Sequence, residues 1–274
     1  MQTGDIGKLN VITTFLLPAV GSKTYAGLLI VYLWCLGGIL GIWRKTGGAE
    51  YFAETLGKKI AKGPKSAKIF TWFVGLLFHQ GGTISTILTG STVKPIADNN
   101  KVSHEELSYI VDSTASPGAT LIPFNAWPMY VSGLIIGTIP LLESPIVSYK
   151  FYLSSIPYNF YALCSLVLTG LFASELLPWI GTKMRKAKNR ARNEGLLDAV
   201  HATPLLNDYD EPQVPEYYRP GLYEFVVPLV VLFSVTIIPF ILWSYGFIPD
   251  SAANTVNEAF LLATISAIVV AKVR

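Results

Sequence analysis

The 274-residue chain is 51% hydrophobic and only 14% charged, where an ordinary soluble domain is about a quarter charged. Its net charge is only +3, and it has no basic stripe interleaved with aromatics, which excludes a nucleic-acid partner. The two cysteines, Cys35 and Cys164, lie inside apolar runs without metal-ligand spacing and read as reduced packing residues.

Along the chain, apolar segments fall at 25–43, 69–93, 107–139, 151–179, 222–245 and 259–271. Three charge-free runs stand out: Tyr25 to Trp43, Phe151 to Ser174 and Phe225 to Pro249. A helix needs about twenty apolar residues to cross a hydrocarbon core, and each run is long enough or nearly so. No signal-peptide layout opens the chain. Val11 to Val20 reads as the tail of an earlier element, and the last segment is short. The expectation is one all-α polytopic membrane domain over 1–274, incomplete at both ends, with a cytoplasmic loop at 182–221.

Lys and Arg orient such a chain, because basic loops stay in the cytoplasm. Seven lie in 44–68 and seven in 182–221, against Lys150 alone in 140–150 and none in 246–258. The first two loops are therefore predicted inside and the last two outside. Two simple spans at 69–93 and 107–139 would break that order, so one of the two segments must enter and leave on one side. Segment 69–93 fits: ten apolar residues end at His79-Gln80-Gly81-Gly82, and a second arm follows. Ten helical residues rise roughly 15 Å, half the core. A re-entrant hairpin with its tip at Gly81 and Gly82 is predicted, which puts 94–106 inside as well.

Segment 107–139 holds Asp112-Ser113-Thr114-Ala115-Ser116-Pro117-Gly118. Pro117 removes a backbone donor and Gly118 allows a bend, so a helix break is expected there. A break beside Asp112, Ser113, Thr114 and Ser116 would gather oxygens into a sodium cage, a common device at the midplane of transporters. A carboxylate within a membrane segment is a functional candidate by default; a helix-capping role at the interface is the alternative. His79, near the hairpin tip, titrates in the physiological range when unperturbed, or else satisfies a buried carbonyl. Thr83 and Ser85 on the second arm and Asn125 between two prolines complete the candidate ion or substrate set. The cluster Lys183 to Arg192 is expected to meet anionic lipid. A homo-oligomer is compatible with all of this.

Several stretches carry a family likeness. They are Lys45-Thr46-Gly47-Gly48, the run from Gly90 through Lys94-Pro95 to Asp98, Lys101-Val102-Ser103, Leu107 through Asp112-Ser113-Thr114 to Pro117, and Leu121-Ile122-Pro123-Phe124-Asn125-Ala126-Trp127. In this order they resemble the NhaC-type Na+/H+ antiporters over roughly residues 30–140. The resemblance implies half of an inverted-repeat transporter in the inner (plasma) membrane. It implies Na+ and H+ as transported ions, no cofactor and no enzymatic activity. Relatives also exchange organic acids and amines. Many members carry two aspartates where this chain has Gly81-Gly82, and an asparagine where it has Ser85. Members are also longer, which agrees with an incomplete chain. Two other readings remain open: an intramembrane hydrolase using Ser113 with His79, and a non-transporting membrane subunit or truncated product.

Overall fold

The computed structural model describes residues 12, 17, 31, 33–79, 82–123, 125–202, 214–215, 218–249 and 255–273. Within them every regular element is helical. In chain order these are α1 (Trp34–Thr46), α2 (Gly48–Ile60), α3 (Pro64–Leu77), α4 (Gly82–Asn99), α5 (His104–Leu121), α6 (Ala126–Ile135), α7 (Pro145–Ser155), α8 (Phe160–Ala173), α9 (Thr182–Asn189), α10 (Tyr223–Ser244) and α11 (Val256–Val273). A short 3-10 turn joins α7 to α8, and a π turn, Arg190–Glu194, extends α9.

The end signals follow local chemistry. Gly47, in the left-handed region, stops α1 and starts α2. Pro64 opens α3, where its missing N–H costs nothing. Ser103 and Glu106 form a reciprocal capping box at the start of α5. Asn125 caps α6: its Oδ1 accepts from the Trp127 N–H at 2.8 Å.

Helices α3, α4 and α5 form an antiparallel three-helix unit. Contacts fix its register: Lys68 of α3 meets Glu106 of α5, and Asp98 of α4 meets His104 of α5. Gly75 of α3 faces Thr114 of α5 and Thr89 of α4. A Cβ on Gly75 would lie 3.0 Å from the Thr114 Cγ2, so glycine lets these two helices close. Against the unit packs an aromatic core in which Phe225 of α10 meets Trp43 and Phe52 at 4.4 and 4.3 Å between ring centroids. Phe78 adds an edge-on contact to Phe225. Cys35 lies beside this core, whereas Cys164 is exposed. The packing role expected of Cys164 is therefore not seen.

The loops sort to two ends. At one end Lys68 meets Glu106, His104 meets Asp198, and Arg190 meets Glu105. A cleft there is lined by Trp43, Arg44 and Gly47 together with Lys94 and Asp98. At the other end Tyr149 packs edge-on against Trp243, and Lys150 lies over the same indole. Gly246, Ile248 and Pro249 line a hollow beside them. The α3–α4 pair leaves the charged end, where Lys68 and Asp98 lie, and returns to it. Helices α5 and α10 run away from that end, and α8 runs back.

Three predicted boundaries change. Segment 107–139 is two helices, α5 and α6. Segment 151–179 is part of a pair bent by 50° at its break, Ile146–Tyr158 with Phe160–Ala173. Most importantly, α5 continues through Pro117 and Gly118 to Leu121, so the break expected there is absent; α5 ends at Leu121 and α6 begins at Ala126 instead. The cause lies on α8. Pro117 cannot donate to the Ser113 carbonyl, but the hydroxyls of Ser165 and Thr169 donate to it at 3.1 and 3.4 Å. A neighbouring helix thus satisfies the freed carbonyl, and the helix stays whole.

Among the described residues one helix, α10, is long and apolar enough by itself to cross a membrane; the bent pair makes a second if it acts as one span. Large apolar side chains are exposed along α8, α10 and α11, including Phe160, Val167, Val230, Ile238, Ile265 and Val269.

Candidate functional site

The predicted site residues divide into two places. Because α5 is unbroken, consecutive residues point about 100° apart and do not converge. The sodium cage of Asp112, Ser113 and Thr114 is therefore not formed. Asp112 is exposed, and Thr114 is buried toward α3 and α4. The Ser113 carbonyl faces α8, and Ser116 is half-buried.

Asp112 lies in an open groove of about 490 Å³ along the α4–α5 seam. Thr86, Gly90 and Lys94 line it from α4, at a spacing of four that puts them on one helix face. Ser108 and Asp112 line it from α5, and His104, Asp198 and Ala202 close one end. Asp112 has no hydrogen bond or ion pair among the described residues.

The second place is a buried polar layer between α3, α4 and α5. Ser85, Thr89 and Thr114 are fully buried, and the hydroxyls of Thr89 and Thr114 find no hydrogen-bond partner. His79 closes this layer at the end of α3, where its ring stacks 6.0 Å from Phe233 of α10. Its Nδ1 faces the carbonyls of Leu76 and Leu77 at 3.0 and 3.1 Å. Carbonyls only accept, so Nδ1 carries a proton, and Nε2 is the ring nitrogen left over. That Nε2 is buried and unpartnered, so His79 makes no hydrogen bond to Ser113, and the nucleophile–base pair of a hydrolase is not in place. Gly82 begins α4. Gly81 lies outside the described residues, as does the side chain of Thr83. Asn125, fully buried, is used structurally: its amide donates to the carbonyls of Ala119 and Ile122 while its oxygen caps α6.

Sequence reasoning missed the charged centre at the end of the three-helix unit. Lys68 is almost fully buried, with Nζ 3.0 Å from Glu106 Oε1 and 2.9 Å from Glu175 Oε1. The ammonium also lies 5.2 Å from the Phe172 ring centroid. Lys188 and Arg192 add two more cations to Glu175. Burial pushes the Glu175 carboxyl up, but hydrogen bonds from Arg192 and Lys68 outweigh it and hold the group at about 2. Glu175 itself sits at φ 57, a left-handed position that glycine normally fills after a helix. The Leu176 N–H returns to the Leu171 carbonyl there, closing the turn. Three of the six cations expected to face lipid, Lys188, Arg190 and Arg192, thus turn onto protein carboxylates, while Lys183, Arg185 and Lys186 stay exposed. The signal was present: Ser103-His104-Glu105-Glu106 is a capping-box pattern with three titratable groups in one helical turn.

Comparison with known proteins adds one relationship. The chain is 30% identical over 149 residues to an uncharacterized protein of Haemophilus influenzae, covering 51% of this chain and 27% of that protein. The chain thus spans about a quarter of the length of the curated relative it matches. No protein-family profile and no solved structure matches.

Proposed function

We propose that this chain is the membrane-embedded core of a secondary transporter that exchanges Na+, or an ion-coupled organic solute, for protons, with Asp112 as the exchanging carboxylate. The observation that carries the reading is the sorting of its loops. Basic-rich segments 44–68 and 182–202 meet at one end, along with 94–106; the basic-poor segments 140–150 and 246–249 meet at the other. That is the division a bilayer imposes. The hairpin α3–α4, which returns to the end it left, supplies the parity that the charge pattern requires. Apolar side chains exposed along α8, α10 and α11 suit contact with lipid tails. The exposed Lys183, Arg185 and Lys186 suit anionic headgroups at the boundary.

At the site, a carboxylate with no protein partner can hold a cation or a proton but not both, which is the minimum requirement for exchange. The buried, unpartnered Thr89 and Thr114 hydroxyls lie on the same two helices, α4 and α5, and His79 Nε2 is likewise buried and unpartnered just after α3. They offer a second, uncharged station for a partly dehydrated ion. In proteoliposomes with an imposed pH gradient, adding sodium or the transported solute is expected to dissipate the gradient. A gradient unaffected by sodium and by a panel of organic acids and amines would remove the proposal.

A further inference from the structure

Two cavities lie end to end on the seam between α3 and α8. The first is an open groove of about 400 Å³, lined by Ile69 and Trp72 of α3 and by Leu166, Val167, Gly170 and Leu171 of α8. A Cβ on Gly170 would lie 3.3 Å from the Trp72 ring, so glycine lets the indole cross α8 closely. The indole N–H is used within the protein, donating to the Leu166 carbonyl at 3.2 Å. The groove therefore offers a ligand almost only apolar surface. Val167, and Phe73 next to Trp72, are exposed beside it.

The second cavity, of about 230 Å³, is cationic: Lys68, Arg185 and Lys188 line it with Glu175, Asn189 and Phe172. Chain neighbours divide between the two, Lys68 from Ile69 on α3 and Phe172 from Leu171 on α8, so the groove leads into the pocket at the charged end. Arg185, Lys188 and Asn189 share one face of α9. Cations outnumber acids here. Lys68, Lys188 and Arg192 hold Glu175, and Lys68 also holds Glu106. The Arg185 side chain has no hydrogen bond or ion pair among the described residues. Four cations thus meet two carboxylates, and Arg192 Nε is buried without an acceptor. A bound anion would balance the surplus and take up the spare donors. Leu176 and Trp179, on either side of the pocket-lining Leu177 and Pro178, are exposed, as suits a membrane–water boundary.

We infer that the α3–α8 seam binds one acidic phospholipid, its phosphate held by Arg185, Lys188 and Asn189 and one acyl chain laid along Trp72 and Gly170. The inference rests on the membrane reading above, and not on Asp112 or on what is exchanged. It goes beyond the attraction of exposed lysines to a charged surface, because it specifies one place for one headgroup and one chain. A free phosphate fits the pocket but leaves the groove empty. A lipid without net charge fits the groove but leaves the cations unbalanced.

Lipids brominated on the acyl chain quench an indole on contact, and the difference between the parent and Trp72→Phe isolates Trp72 among the six tryptophans. In mixed phosphatidylcholine–phosphatidylglycerol vesicles, brominated phosphatidylglycerol should quench Trp72 at mole fractions at least about fivefold lower than brominated phosphatidylcholine, the worth of one basic residue beside an acidic headgroup. Arg185→Gln should cost about that factor, while Lys183→Gln, outside the pocket, should leave the preference unchanged. Equal quenching by the two lipids in the parent, or an equal loss in both variants, would overturn the site. So would displacement by millimolar inorganic phosphate, which would make the ligand a free anion. Should a variant lose helix content, native mass spectra of the parent give the same comparison: one retained phosphatidylglycerol is expected, and equal retention of phosphatidylcholine is fatal. A protein that floats with the vesicles yet shows no preference loses this site and keeps the transporter reading; one that does not float loses both.

Discussion

Helix α5 carries acids of two kinds. In its first turn Glu105 and Glu106 each hold a cation, and His104 just before them bridges two carboxylates. Two turns later Asp112 faces an open groove with no partner among the described residues. Paired acids there fasten α5 to α3, α4 and the segment 182–202, and at Lys68–Glu106 removing one member strands the other in a dry site. The unpaired acid fastens nothing, so folding does not depend on it, and a mobile cation can come and go. That division predicts large structural losses at one end of the helix and a purely functional loss at the other.

The largest structural effect is expected at Lys68. Lys68→Met leaves Glu106 buried without its cation and should destabilise the protein by about 3–5 kcal/mol in denaturant titrations in detergent. Adding Glu106→Leu should recover much of that, because an apolar pair of similar volume needs no desolvation. A single-variant loss no larger than that of a surface pair would place the centre in water and erase the contrast with Asp112.

A smaller loss is expected where α8 supports α5. Ser165→Ala with Thr169→Val strands the Ser113 carbonyl and should cost about 1–3 kcal/mol. In a Pro117→Ala background the restored N–H can take that carbonyl, so the same double substitution should cost clearly less. Equal costs in both backgrounds would mean that these hydroxyls do not keep the helix whole.

The Glu175 cluster adds a pH signature. Its carboxyl is depressed from the ordinary 4.5 to about 2, so the stability it contributes is present above 4.5 and fades as pH falls toward 2. Glu175→Gln should flatten thermal stability across that window. Glu175→Gly relieves the left-handed backbone but should flatten it equally, which separates the charge from the turn. An unchanged acid slope in both would place the cations elsewhere.

Elements set by local composition were legible in the sequence. The run 222–245 became α10 within a residue at each end, and the polar His79–Gly82 stretch falls where α3 has ended and α4 begins. Charge counting sorted the loops that the fold brings together. What depended on partners far along the chain was not legible. Pro117 read as a break because Ser165 and Thr169, 52 and 56 residues beyond Ser113, could not be known to supply the missing donors. The Lys68–Glu106 pair spans 38 residues, and each member looked like an ordinary loop charge. Asn125 read as a ligand because its three hydrogen bonds go to backbone that a sequence does not place.

The most direct measurement compares Asp112→Asn with the parent protein in two assays on one preparation. Unfolding in detergent should shift by no more than about 0.5 kcal/mol, as expected for a surface substitution that breaks no contact. Cation-driven dissipation of the pH gradient in proteoliposomes should fall to the rate of empty vesicles. Full exchange by the Asn variant, or a stability loss as large as that of Lys68→Met, would contradict the assignment of Asp112 as the exchanging group.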